Sequence, residues 1–342
     1  MERGSHTLEE ILSQPQAWQQ ALEVLSDHMA QVEDLWKTGA YQRVLFTGCG
    51  STYYLSIAAA DLLRQLTAME TRAVPGSELW LGENIYQADG KTLLVAVSRS
   101  GETTETLRGV RRFLNDKGGD VLTLSCYPDM PLAKLGKLNL IFCAAQEESV
   151  AQTRAFSTLY LAVVYLVHVW SGQASQVKTM DRLPVVCQAL FERYNNWAMT
   201  TAVADTVDRI YYLGSGARYG LACELNLKMK EMSLSHAEAF HFMEFRHGPQ
   251  SMISPSTLVV GLLSEAHRTQ EEAVLAEMKA RGAVVVSLAE KDASVEFSSS
   301  VPESMRNVLY LPICQLFAYS RSMHKGLNPD APNNLTAVVK LV

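Results

Sequence analysis

Short apolar runs alternate along this chain with longer stretches whose apolar residues fall at helical spacing, and that alternation leaves few folds open. Strand, crossover helix and next strand in repetition build a parallel sheet covered by helices on its faces. In the first half the strand-like runs are Val44 to Thr47, Thr71 to Val74, Leu93 to Val97, Val121 to Leu124 and Leu140 to Cys143, with helices expected near 52–66, 103–117 and 152–170. The second half repeats the plan with Ile210 to Leu213, Leu258 to Leu263, Val284 to Leu288 and Val308 to Leu311, and helices near 217–233, 268–281 and 313–324. The small-residue stretch Ser171 to Ser175 and a helical span over about 178–203 separate the halves. The expected division is a helical lead over 1–34 carrying Ile11, Leu12, Trp18, Leu22 and Leu25, a domain over 35–172, a helical linker over 173–203, a second domain over 204–327 and a tail over 328–342. The fold class is α/β: two tandem three-layer α/β/α sandwiches with parallel five-stranded sheets.

An internal echo supports duplication. Leu45 to Tyr53 (LFTGCGSTY) and Tyr212 to Tyr219 (YLGSGARY) each run from an apolar strand into G-x-G and a helix bearing tyrosine. The dinucleotide fingerprint would need a third glycine where Tyr53 and Tyr219 stand, so a pyrophosphate site is not encoded.

The 342 residues are 48% hydrophobic, enough to fill two cores, and the formal charge of −6 gives no footprint for nucleic acid or an anionic membrane. An anion must therefore be bound locally. The six cysteines are scattered without metal-ligand spacing, so reduced, mostly buried thiols and a cytoplasmic address are expected. No long apolar span or signal-like core occurs in the sequence.

Two segments concentrate chemistry. Val95 to Thr106 (VAVSRSGETTET) joins a strand to a helix through hydroxyl residues, so helix-terminal N–H groups and the hydroxyls of Ser98, Ser100 and Thr103 can donate to a phosphate. Ser100 acting as a plain helix cap is the alternative, and the surplus of hydroxyls favours phosphate. Lys228 to Pro249 (KMKEMSLSHAEAFHFMEFRHGP) is the other. Lys228 and Glu231 project from one helical face, the geometry of a functional pair and equally of an ordinary surface pair. Glu238, between two alanines in an apolar stretch, is expected to be buried and to need a donor. Glu244 and His247 precede Gly248-Pro249, a loop signal that can present His247 at a pocket or leave it structural.

In this order these pieces resemble the sugar-isomerase (SIS) family, in particular the isomerase half of glucosamine-6-phosphate synthase and its single-function isomerase and deaminase relatives. SRSGET at 98–103 is similar to the family's SQSGET, CGST at 49–52 to CGTS, and HAEAF…EFRHGP at 236–249 to HAEAY…ELKHGP; VAQTRAF at 150–156 and NPDAPNNL at 328–335 also match. The resemblance implies that Ser98, Arg99, Ser100, Thr103 and Thr52 hold a sugar phosphate, while Ser51, Val150, Ala151, Gln152 and Glu244 line the sugar. Glu231 would move a proton between C1 and C2 with Lys228 assisting, and His247 would open the ring, supplied across a homodimer interface. The tail would close the site. No cofactor or metal is implied, and no nucleic-acid or membrane partner.

Two departures bear on the chemistry. The residues before Val44 offer only a helix or two where the synthase has a glutamine-hydrolysing domain, and the family's imine-forming tail lysine aligns with Ala337, Lys340 lying three residues on. The expectation is a phosphosugar isomerase or aminosugar-6-phosphate deaminase working on a hexose 6-phosphate through an enediol, without glutamine as nitrogen source. A fructosamine-6-phosphate deglycase and a phosphosugar-sensing regulator are the rivals.

Overall fold

Two compact units make up the computed structural model, which describes residues 2–201 and 206–341. The first unit holds Gln16–Glu147, Arg154–Asp181 and the tail from Thr336; the second holds the residues up to Pro15, Glu148–Thr153 and Arg182–Leu335. The chain enters through α1 (Ser5–Leu12), part of the second unit, and then builds α2 (Gln14–Asp27), α3 (Met29–Gly39), β1 (Arg43–Gly48), α4 (Ser51–Thr67), β2 (Glu70–Pro75), α5 (Gly76–Leu81), β3 (Thr92–Val97), α6 (Thr104–Asn115), β4 (Gly119–Ser125), β5 (Leu138–Ile141) and α7 (Arg154–Trp170). The expected lead is thus three helices, whose apolar face buries Ile11, Trp18 and Leu25 completely.

The first sheet is parallel throughout, in the order β2-β1-β3-β4-β5. Every residue of β3 is buried, which is why its sequence TLLVAV is apolar without alternation: helices cover both faces. On one face Leu94, Ala96, Val110, Phe113 and Leu132 pack into one cluster, each large aliphatic contributing about 1.5–3 kcal/mol by leaving water. Helix α7 is buried along nearly its whole length and apolar all round, the pattern of an interior helix, and Trp18 Nε1 donates to its Ser157 Oγ at 2.9 Å.

The second unit contains α8 (Leu183–Thr201), β6 (Arg209–Leu213), α9 (Ala217–Ser233), β7 (His236–Phe240), β8 (Thr257–Leu262), α10 (Arg268–Ala280), β9 (Val284–Ala289), β10 (Val295–Glu296), α11 (Glu303–Arg306) and α12 (Leu311–His324). Its sheet is again parallel and five-stranded, ordered β10-β9-β8-β6-β7. The duplication read from the glycines is structural: Gly50 and Gly216 both stand at the helix start with φ of 57° and 61°, and a side chain at Gly48 or Gly214 would collide with the first turn of α4 or α9.

Three expectations are corrected. Val308 to Leu311 is no strand; Asn307–Tyr310 is a 3-10 turn running into α12, because Pro312 suits the first turn of a helix and a buried apolar run does not by itself declare its period. The strands absent from the sequence reading are the short β10 and β7, the latter inside the 228–249 segment. Glu238 is exposed, not buried: β7 is an edge strand whose alternation sends Ala237 inward and Glu238 outward, so it needs no buried donor. The expected linker is a 3-10 stretch, Ala174–Arg182, followed by α8, and its last residues, 202 and 203, lie outside the described residues. No helix among the described residues is long and apolar enough to cross a membrane. All six cysteines are free, Cys126, Cys187, Cys223 and Cys314 being buried.

Candidate active site

Strand order places the first group of side chains. In the first sheet the chain leaves β1 toward β2 on one side, while β3, β4 and β5 lie on the other, so the carboxyl ends of β1 and β3 flank a switch point where α/β sheets bind ligands. Ser51 and Thr52 follow β1, and Ser98 to Thr103 follow β3. Ser98 Oγ accepts from the Gly101 N–H at 3.2 Å, Ser100 Oγ accepts from the Glu102 N–H at 3.3 Å, and Ser98 Oγ lies 3.3 Å from Thr103 Oγ1. The hydroxyls of one short turn are thereby gathered, with Ser98 and Ser100 accepting from the turn's amides and Ser98 and Thr103 sharing a proton between them. Gly101 permits the turn: its φ is +70°, and a Cβ there would come within 2.9 Å of Met130 Cβ. The plain capping alternative fails, because no side chain caps α6; its N-cap, Thr103, makes no such bond.

The other expected phosphate donors are differently engaged. Thr52 Oγ1 donates to the Cys49 carbonyl at 3.0 Å and accepts from the Cys49 N–H at 2.9 Å, closing the β1–α4 turn. Arg99 is 5% exposed; its Nη1 pairs with Glu147 Oε2 at 3.2 Å and its Nη2 donates to the Ala337 carbonyl at 3.1 Å.

The second group lies on α9 in the second unit. Lys228 is 1% exposed, its ammonium hydrogen-bonded to Glu231 and 3.5 Å from Glu224 Oε1, so one cation sits between carboxylates three and four residues away. Glu224 is fully buried, whereas the Glu231 side chain keeps 19% of its surface. The pair seen in the sequence is therefore not an exposed one, and Glu224 is the residue sequence reasoning missed. Its signal was present: an acid four positions before Lys228, in a helix otherwise rich in Leu, Ala and Met.

Val150, Ala151 and Gln152 also belong to the second unit, in a short segment held from several directions. Glu10 of α1 accepts from the N–H groups of Glu148 and Ser149 at 2.6 and 3.1 Å, and the Val150 N–H donates to the Asp330 carbonyl at 2.9 Å. Asp330 Oδ1 in turn accepts from Thr7 N–H and hydroxyl at 2.8 and 2.7 Å, so the NPD stretch of the tail is a bracket for this segment. Gln152 Oε1 is buried and has no hydrogen-bond partner among the described residues.

Glu244 and His247 stand on the surface of the second unit. Phe242 and Phe245 are buried beside Tyr211, pinning the loop, while Glu244 and His247 stay exposed and the His247 side chain makes no hydrogen bond or ion pair among the described residues. Arg246 is fixed sideways by Glu277, with Nε to Oε2 at 3.0 Å. Lys340 belongs to the first unit, where its ammonium pairs with Glu102 at 3.0 Å.

Comparison with known proteins agrees with this architecture. The SIS domain model matches residues 40–169 and again 206–311. Among curated relatives, glutamine--fructose-6-phosphate aminotransferase [isomerizing] of Sulfurisphaera tokodaii is 28% identical over 344 residues, covering 97% of this chain and 56% of its own length. The enzyme of the same name from Pyrococcus horikoshii is 29% identical, covering 97% and 57%. The chain thus spans a little over half the length of these relatives. Among solved structures, glucosamine-6-phosphate deaminase of Thermotoga maritima superposes with a TM-score of 0.85 at 25% identity, covering 98% of this chain and all of the other. Tagatose-6-phosphate ketose/aldose isomerase of Escherichia coli, at 23% identity and a TM-score of 0.87, shares the fold. With two matched domains, two duplicated parallel sheets and a hydroxyl turn at the first switch point, this chain belongs to the SIS domain family.

Proposed function

We propose that the chain is a phosphosugar isomerase or aminosugar-6-phosphate deaminase, acting on a hexose 6-phosphate through an enediol. The phosphate is taken by the Ser98, Ser100 and Thr103 hydroxyls and the free amides of their turn. The C–H bond beside the sugar carbonyl breaks, its proton moves to the Glu231 carboxylate and its electron pair becomes the C1–C2 double bond of the enediol. Return of that proton to the adjacent carbon, while the hydroxyl proton passes from one sugar oxygen to the other, completes the isomerisation. Lys228 stabilises the oxyanion that develops on the carbonyl oxygen. Gln152, whose buried carbonyl oxygen has no partner among the described residues, accepts from a sugar hydroxyl. His247 opens the ring, supplied by a second copy of the chain. The observation that carries this reading is the buried Lys228 bonded to the solvent-reachable Glu231, since binding alone requires no such arrangement.

The test is proton NMR in D₂O with glucosamine 6-phosphate, fructose 6-phosphate and a fructosamine 6-phosphate. Deuterium is expected at C1 or C2 with the native chain and not with Glu231→Gln; no exchange with any of the three sugars would move the chain to the sensing role. One observation favours the deglycase reading over imine chemistry on an amine-free keto sugar: the resemblance aligns Ala337 with the imine-forming lysine, and Lys340 is paired with Glu102. A fructosamine 6-phosphate already carries its amine and needs no imine to the protein, so faster turnover of that substrate than of the other two would decide for it.

A further inference from the structure

We infer that Arg99 is a positioning residue, which clamps the C-terminal tail onto the 98–103 turn and does not donate to the phosphate. The inference deepens the proposed function and rests on it for its kinetic consequence alone.

The tail meets the turn and Thr104, the first residue of α6, at four places within the first unit. Arg99 Nη2 donates to the Ala337 carbonyl at 3.1 Å, the Thr104 N–H to the Val339 carbonyl at 3.4 Å, and the Leu341 N–H to Thr104 Oγ1 at 3.1 Å, while Lys340 pairs with Glu102. These contacts are unequal. The Lys340 side chain is 65% exposed, and an ion pair in that setting contributes little. The Thr104 bond is long. The Arg99 bond is the buried, charge-assisted one, in the strong class of hydrogen bonds.

Arg99 is itself held. Glu147, with its side chain fully buried, takes the guanidinium on Oε2 and accepts the Ala155 N–H, at the start of α7, on Oε1 at 3.0 Å. A planar fork with five donors can face Glu147 and a main-chain carbonyl together, which the shorter glutamine of the SQSGET pattern cannot. Turning the guanidinium toward a phosphate would give up its bonds to the buried Glu147 carboxylate and to the Ala337 carbonyl, a costly exchange. The Ser98, Ser100 and Thr103 hydroxyls can turn their protons to a phosphate at no such cost. The arginine therefore orders the tail beside a ligand whose phosphate the hydroxyls hold.

Hydrogen exchange, followed by mass spectrometry on the full chain, tests the clamp with Arg99→Gln, Arg99→Lys and Glu147→Gln beside the native protein. Lysine keeps the charge toward Glu147 but lacks the fork. All three variants are expected to exchange the Thr104 and Leu341 amides about ten-fold faster, as loss of one charge-assisted bond implies, with the rest of the first unit unchanged. Affinity for inorganic phosphate, measured by calorimetry, should stay within about two-fold, and the KM of any sugar phosphate turned over should rise more than kcat falls. The clamp is wrong if the tail stays protected in Arg99→Gln, or if that variant loses phosphate affinity while Glu147→Gln, by freeing the arginine, gains it. An unchanged KM with a released tail would reduce Arg99 to a structural part. Failure of the native chain to turn over any sugar would sink the proposed function and leave the exchange and phosphate results to judge the clamp.

Discussion

A lysine ammonium at 1% exposure is a costly thing to build into a helix, and Lys228 shows how the cost is met: carboxylates four residues before and three residues after it share its charge. Removing the cation alone should be worse than removing the group as a whole. Lys228→Ala is expected to lower stability by about 3–5 kcal/mol, because the Glu224 carboxylate stays buried beside the vacated position. The double variant Lys228→Met with Glu224→Gln should recover at least half of that loss, read from urea midpoints at constant slope. Equal loss in both would mean that packing, not charge compensation, holds the lysine. The sequence displayed Lys228 and Glu231 at the right spacing, but spacing is identical for a solvated pair. Burial separates the two cases, and burial is a property of what packs around α9.

Elements decide which side chains reach solvent. The loop after β7 alternates anchors and exposed groups: Phe242 and Phe245 sink into the second unit's core while Glu244 and His247 remain outside. Phe245→Ala should cost about 3–5 kcal/mol, as for other large-to-small core changes, and should loosen the loop that carries His247. Exchange confined to residues 241–250 would show that, whereas uniform loosening of the second sheet would place the anchor elsewhere. The same scale explains the misreadings. Val308 to Leu311 is short and apolar without a clear period, and such a run is strand or helix according to its neighbours, while HAEAF is a short alternating run whose place in a sheet depends on the strand it pairs with. Pro312 tips the first into a helix, and pairing with β6 makes the second an edge strand, which also turns Glu238 outward.

At the scale of the molecule, the proposed transfer of His247 between copies makes a prediction that no single site can imitate. Glu231→Gln and His247→Ala variants, each inactive alone, should regain about a quarter of native activity when unfolded and refolded together in equal amounts, since half the two-fold dimers are mixed and each mixed dimer has one intact site. No recovery, with dimers present, would place both groups in the same subunit. What the sequence by itself determined was the repeated strand-and-helix plan, the two glycine turns and the hydroxyl turn at 98–103, because each is written in local periodicity or in the conformations a few residues allow. The tertiary structure alone decided that Lys228 lies in the interior with Glu224 beside it, that Glu10 and Asp330 brace the 148–153 segment, and that Arg99 faces Glu147 and the tail. Those relations join residues distant along the chain or depend on what covers a helix, and no local pattern encodes either.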